Sequence, residues 1–289
     1  MERIRKALVI GGIVMSMLFA GCGSSDSGSS GTLSAQESSS VSEVSAAESA
    51  VPAEESTAGT SSDEAAVTTQ HPAKEASEYG KVIALTFDDG PNTTCTPMVL
   101  DLMEQYGARC SFFVIGQNIN DESAEVMKRA YNMGCEINNH SKTHSYMNKM
   151  DADAIKEEIK YTSDLVEKYT GEPTKFFRPP YIAVNQTMFD SIDMPFINGK
   201  GCNDWEEKVT AEERVKKVLE QAEDGDIILL HDQPTNYQTV EALKTIIPEL
   251  QKRGFELVTV SELFYAKGIT PVSDSTPKIY TNSMQTGNW

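Results

Sequence analysis

The chain has 289 residues and a formal net charge of -18, which leaves room for one or two domains. No basic stripe breaks the acidity, and this excludes nucleic acid or a polyanion as the expected partner. The first residues, MERIRKALVIGGIVMSMLFAGC, set Arg3, Arg5 and Lys6 ahead of an uncharged apolar stretch from Ala7 to Ala20. That stretch suits the core of a signal peptide and is short for a bilayer span, which needs about 20 residues. It ends in Phe19-Ala20-Gly21-Cys22, similar to a lipobox, although Phe19 stands where Leu is usual. Cys22 is therefore expected to carry lipid and to hold the chain outside the cell, on the membrane. Ordinary secretion with a Cys near the cleavage point is the alternative.

Residues 23–78 are rich in Ser, Ala and Glu and hold ten acidic residues against one Lys. With so few large apolar side chains, such a segment cannot offset the entropy of ordering it, and it is expected to be a flexible tether. From residue 79 to about 269, short apolar runs alternate with amphipathic stretches. Strands are predicted at Val82–Phe87, Ser111–Ile115, Glu136–Asn138, Phe176–Arg178, Phe196–Asn198, Ile227–Leu230 and Leu257–Val260. Between them, Ile155, Ile159, Val166 and Tyr169 recur at helical spacing, as do Val240, Leu243, Ile247 and Leu250. Gly134, Gly171, Gly225 and Gly254 stand where helices should stop. The alternation implies an α/β fold with a parallel sheet, either open or closed into a barrel. Residues 270–289 read as an extended tail. Apart from Cys22 the cysteines are Cys95, Cys110, Cys135 and Cys202, with no CxxC pair to suggest structural zinc. Cys110 and Cys135 lie at the starts of successive strands and could be neighbours; four buried thiols are the alternative.

In parallel α/β folds the reactive residues gather at the carboxyl ends of the strands. Asp88-Asp89, His140, Arg178 with Pro179-Pro180-Tyr181, Asp204-Trp205 and His231-Asp232 all follow predicted strands, so they should share one rim. Asp88-Asp89 alone could be a solvated turn ahead of Gly90-Pro91. His140 and His144 are four apart, as on one face of a helical turn, and two His with a carboxylate make a catalytic zinc set. The chain has four His; three follow predicted strands, and His71 lies in the tether. His231 could be a buried structural imidazole, but Asp204 offers a carboxylate to orient it and keep it protonated, as a general acid requires.

Five motifs in order, Thr86-Phe-Asp-Asp-Gly-Pro91, His140-Ser-Lys-Thr-His144, Arg178-Pro-Pro-Tyr181, Asp204-Trp205 and Leu229-Leu-His231, resemble the polysaccharide deacetylase family (carbohydrate esterase family 4). The resemblance implies a deformed (β/α) barrel of about seven parallel strands. It implies one divalent ion, Zn2+ first with Co2+ or Ni2+ possible, held by Asp89, His140 and His144. It also implies Asp88 as base, with Arg178 keeping it ionised, and His231 as acid, tuned by Asp204. The Tyr181 N–H would donate to the oxyanion, and Trp205 and Leu229 would form the acetyl pocket. Water activated at the metal would then release acetate from a polysaccharide. N-acetylglucosamine polymers of cell-wall or chitin-like kind stand slightly ahead of O-acetylated xylan, and a monomer is expected. Two departures lie on the substrate side: Ile182 stands where Gly often follows the Arg-Pro-Pro-Tyr motif, and Asp-x-x-Asp-Trp is reduced to Asn203-Asp204-Trp205. A non-catalytic carbohydrate-binding lipoprotein would lack the base, the acid or a ligand, and none is missing. A metallopeptidase would need HExxH, which is absent.

Overall fold

The computed structural model describes residues 74–274, 277–283 and 286–287. The signal segment, Cys22, His71 and nearly all of the tether lie outside them. The folded unit starts slightly before residue 79. Ala76–Glu78 form a 3-10 turn, and the Lys74 ammonium pairs with Glu256.

The elements in chain order are β1 (Lys81–Asp88), α1 (Cys95–Gln105), β2 (Ser111–Val114), α2 (Asp121–Asn132), β3 (Glu136–Asn139), α3 (Ala152–Thr170), α4 (Gln186–Ser191), β4 (Phe196–Ile197), β5 (Lys200–Gly201), α5 (Ala211–Gln221), β6 (Ile227–His231), α6 (Tyr237–Lys252), β7 (Phe255–Leu257), α7 (Val260–Ala266), β8 (Ile279–Tyr280) and β9 (Thr286–Gly287). The sheet runs β3-β2-β1-β6-β5, all parallel, with β7 pairing the first half of β1. Beyond β3, single bridges from Asn139 to Phe177 and from Phe177 to Phe196 carry the parallel ladder on to β4, and β8 pairs with β4. This is the expected α/β architecture of a deformed barrel; among the described residues no strand ladder closes the ring, and a single antiparallel bridge from Asn282, after β8, to Asp226, before β6, links the two edges.

β1 shows how the sequence places a site in this fold. Its side chains alternate between two faces, as any strand's must. Ile83, Leu85 and Phe87 enter a core with Val99, Leu100 and Met103 of α1 and Leu243, Ile246 and Ile247 of α6. Val82 and Ala84 face a second core with Ile227, Val260, Leu263 and Phe264. Thr86 and Asp88 continue that second face and are buried. One row of side chains thus passes from apolar to polar toward the carboxyl end of the strand. β6 repeats the pattern with Ile227, Leu229 and His231. The ladder pairs Asp88 directly with His231.

Three expected elements differ. The Leu257–Val260 strand ends at Leu257, because Thr259 caps α7 in a reciprocal box with Glu262. The Phe176–Arg178 strand shrinks to the bridging residue Phe177, which pairs on both sides before Pro179 ends the donors. The tail is extended but not peripheral, since Ile279 and Tyr280 are buried. All four remaining cysteines are buried. The Sγ atoms of Cys110 and Cys135 stand 3.6 Å apart, a thiol contact rather than a disulfide.

Candidate active site

At the carboxyl ends of the strands a cavity of about 560 Å³ opens, lined by Asp88, Asp89, His140, His144, Tyr181, Ile182, Asp204, Trp205, Leu229 and His231 among others. The convergence expected from strand ends is therefore seen. Arg178 lies behind the wall rather than on it, with no exposed surface. Its guanidinium donates to Asp88 Oδ1 at 2.6 Å, to Thr86 Oγ1 at 2.9 Å and to the Asn198 carbonyl at 2.7 Å, and it lies 4.0 Å over the Phe113 ring. Burial opposes ionisation of Asp88, but the charges of Arg178, His140 and His231 and the Arg178 hydrogen bond outweigh it. The carboxyl is held below the ordinary carboxylate range.

Asp89 has a left-handed backbone (φ 77), a conformation Asp tolerates better than most residues. Its Oδ1 stands 3.5 Å from Nε2 of both His140 and His144. The His140–His144 segment is not the helical turn that the spacing suggested. Ser141 and His144 have positive φ, and the backbone donors go to side chains instead of to helical carbonyls. Asn139 Oδ1 accepts from Ser141 N–H, Glu158 Oε2 from those of Lys142 and Thr143, and Ser141 Oγ from that of His144. His140 Nδ1 lies 2.7 Å from the Arg178 carbonyl. A carbonyl can only accept, so Nδ1 carries a proton and Nε2 is the nitrogen turned toward Asp89, the one that can offer a lone pair to a metal. Burial first, then the neighbouring His140, keeps the His144 imidazolium below its ordinary range.

His231 ends β6 and is gripped twice by Asp204, through its N–H to Oδ2 at 2.7 Å and Nδ1 to Oδ1 at 2.9 Å. Behind Asp204 a buried relay continues. Arg214 donates to Thr239 Oγ1 at 2.7 Å, and Thr239 Oγ1 donates to Asp204 Oδ2 at 2.8 Å. Arginine has no acceptor, so the Thr239 hydrogen must point at the carboxylate. Burial opposes the imidazolium, yet the hydrogen bond and charge of Asp204, aided by Asp88 and Asp89, push the His231 pKa up to about 9. His231 and Asp88 therefore stand on paired strands with opposite protonation states.

Residues 75–193 match the sequence profile described as polysaccharide deacetylase. A peptidoglycan-N-acetylglucosamine deacetylase of Bacillus cereus is 38% identical over 194 residues, covering 65% of this chain and 90% of that protein. The chain belongs to the polysaccharide deacetylase family. As a member it is a hydrolase of the deacetylase/esterase kind, in a family whose enzymes use a divalent metal. A bifunctional xylanase/deacetylase of Pseudobutyrivibrio xylanivorans is 52% identical over 191 residues, or 66% of this chain, and the match spans 32% of that longer protein. A family 4 acetyl xylan esterase of Clostridium thermocellum, solved with a cobalt ion, superposes with a TM-score of 0.68 at 43% identity, covering 71% of this chain and all of that one.

The residues of this polysaccharide deacetylase fit a metal. Asp89, His140 and His144 offer ligand atoms all within 4.8 Å of one another. Donors at about 2.0–2.1 Å from one ion stand roughly 3–3.5 Å apart, close to the 3.5 Å that separates Asp89 Oδ1 from each imidazole Nε2. Asp89 Oδ1 is also a buried carboxylate oxygen without a hydrogen-bond partner, the kind of orphan that a cation satisfies. Sequence reasoning missed the supporting groups Glu158, Asn139, Thr239 and Arg214. Glu158 had left a signal, as a carboxylate on the apolar face of α3 beside Ile155 and Ile159. Thr239 and Arg214 had left none, since their value depends on contacts distant in sequence.

Proposed function

We propose that this chain releases acetate from an acetylated carbohydrate polymer, with Asp88 as base, His231 as acid and Asp89, His140 and His144 as metal ligands. The observation that carries the reading is the strand register: Asp88 and His231 are direct partners, one held ionised and the other protonated. Asp88 Oδ1 is occupied by Arg178, so Oδ2 is the oxygen that takes the proton from the attacking water. His231 Nδ1 is held by Asp204, so Nε2 gives its proton to the departing oxygen or nitrogen. In the Tyr181 turn the N–H groups of Ile182 and Ala183 bond to Pro179 and Pro180, and Tyr181 N–H is the donor for the oxyanion, worth about 3 kcal/mol at such a position. A divalent ion in this site, Zn2+ in our reading, supplies Lewis-acid polarisation of the acetyl carbonyl. Trp205 and Leu229 frame the acetyl methyl.

The sequence reading puts N-acetylglucosamine polymers first. The likeness to the xylanase/deacetylase and the acetyl xylan esterase supports placing O-acetylated xylan first instead. One feature favours the amide: an acid held up to about 9 serves an amine leaving group more than an alkoxide, which departs more readily. Acetate release from O-acetylated xylo-oligosaccharides and from N-acetylglucosamine oligomers, measured side by side with zinc or cobalt present, tests the proposal. A kcat/KM higher on the xylan substrate is expected; release from neither overturns it. We further propose that the enzyme acts outside the cell as a monomer, anchored to the membrane through lipid on Cys22.

A further inference from the structure

The turn that shapes one side of the cavity is built from the wrong residues for its backbone. Tyr181 (φ 59) and Ile182 (φ 52) are both left-handed, a region in which a β-branched side chain is a genuine outlier. Packing explains Tyr181. Its ring stacks on Tyr146, with centroids 4.1 Å apart and planes 15° apart, and meets the His144 ring at 4.6 Å. The backbone bonds from Ile182 N–H to Pro179 and from Ala183 N–H to Pro180 hold the turn but ask nothing of the Ile182 side chain. Glycine would hold the same turn without strain. Ile182 is only partly buried, and it lines the cavity alongside Tyr181, Trp205 and Leu229. Tyr181 and Trp205 are more than half exposed there, at 54% and 59%.

We infer that Ile182 is a specificity-determining contact, kept in a strained conformation because its side chain supplies an apolar wall for the C–H face of a pyranose ring. Resting on the proposed function, this names what part of the substrate the wall meets. Strain retained beside a ligand cavity is how a fold trades stability for a contact. The wall favours chains whose sugar rings present an unsubstituted C–H face, and it offers nothing to a bulky polar substituent there.

Two variants test this, Ile182→Gly, which removes strain and wall together, and Ile182→Asn, whose side chain tolerates the left-handed region but is polar. Binding of an acetylated xylo-oligosaccharide and of the N-acetylglucosamine tetramer is read by calorimetry on the metal-loaded full chain, with Asp88→Asn in the background so that the sugar stays intact. Loss of an apolar contact of this size weakens Kd by about tenfold. That loss is expected in both variants for the better-bound sugar, with the Ile182→Gly Tm equal to wild type or higher by about 2–4 °C. An unchanged Kd in both variants overturns the inference, as does absence of binding with Ile182 in place. Acetate release by the wild-type enzyme is read separately. Its absence despite sugar binding counts against the functional reading alone.

Discussion

Asp204→Asn tests the acid most sharply. In the wild-type protein the His231 pKa rises from 6.5 to about 9, and at 1.36 kcal/mol per pH unit that is on the order of 3 kcal/mol of coupling, most of it from Asp204. The variant loses the charge, and its amide must place an NH2 against either the His231 N–H and Thr239 hydroxyl or the Nδ1 side, all of them donors in the wild type. Burial remains, so His231 should titrate at or below 6.5. The assay is imidazole NMR titration of chelator-treated protein, which separates His231 from the other histidines. The sign for stability follows. His231 binds its proton more tightly when folded, so its contribution is fully present below pH 6.5 and is lost as pH rises through about 9. Wild-type Tm should therefore fall between pH 7 and 10 more steeply than the variant's. A variant His231 that still titrates near 9, or a wild-type His231 near 6.5, refutes the assignment of Asp204 as its tuning partner.

Two further substitutions separate the roles of the neighbouring groups. Asp88→Asn should reduce kcat by about 10²–10⁴-fold while zinc affinity, read by calorimetry, stays within a few-fold, because the ligand set lies on Asp89, His140 and His144; loss of bound zinc would refute the division of labour between the two aspartates. Arg178→Met leaves a carboxyl buried without its cation and should destabilise the chelated protein by about 3–5 kcal/mol in denaturant melts. Asp88 without Arg178 is pushed above its unfolded pKa and loses stability as pH rises, so the damage should be greater at pH 7 than at pH 4; an equal loss at both would show that packing, not charge, is at stake.

Much of this site was legible because strand ends in a parallel sheet collect polar residues: Asp88, Arg178 and His231 each close or follow an apolar run, and His140 follows the short predicted strand Glu136–Asn138. The ladder partnership of Asp88 with His231 was not, since register is a property of two distant segments. The histidine pair was found for a mistaken reason. Four-residue spacing suggested a helical turn, whereas Asn139, Ser141 and Glu158 draw the backbone donors into a loop that brings the rings together another way. β5, β8 and β9, two residues each, are too short for periodicity to show. The start of α7 could have been read, because Thr259 followed by Glu262 is a capping-box pattern.

In the function proposed above, acetate release depends on one divalent ion held by Asp89, His140 and His144. The most direct measurement is acetate release from O-acetylated xylo-oligosaccharides by chelator-stripped enzyme, titrated back with zinc, in the wild type and in His140→Ala. Activity that vanishes on stripping and returns at one equivalent of zinc in the wild type, but not in His140→Ala, is the predicted result. Undiminished acetate release by the stripped enzyme would show that no such ion is needed.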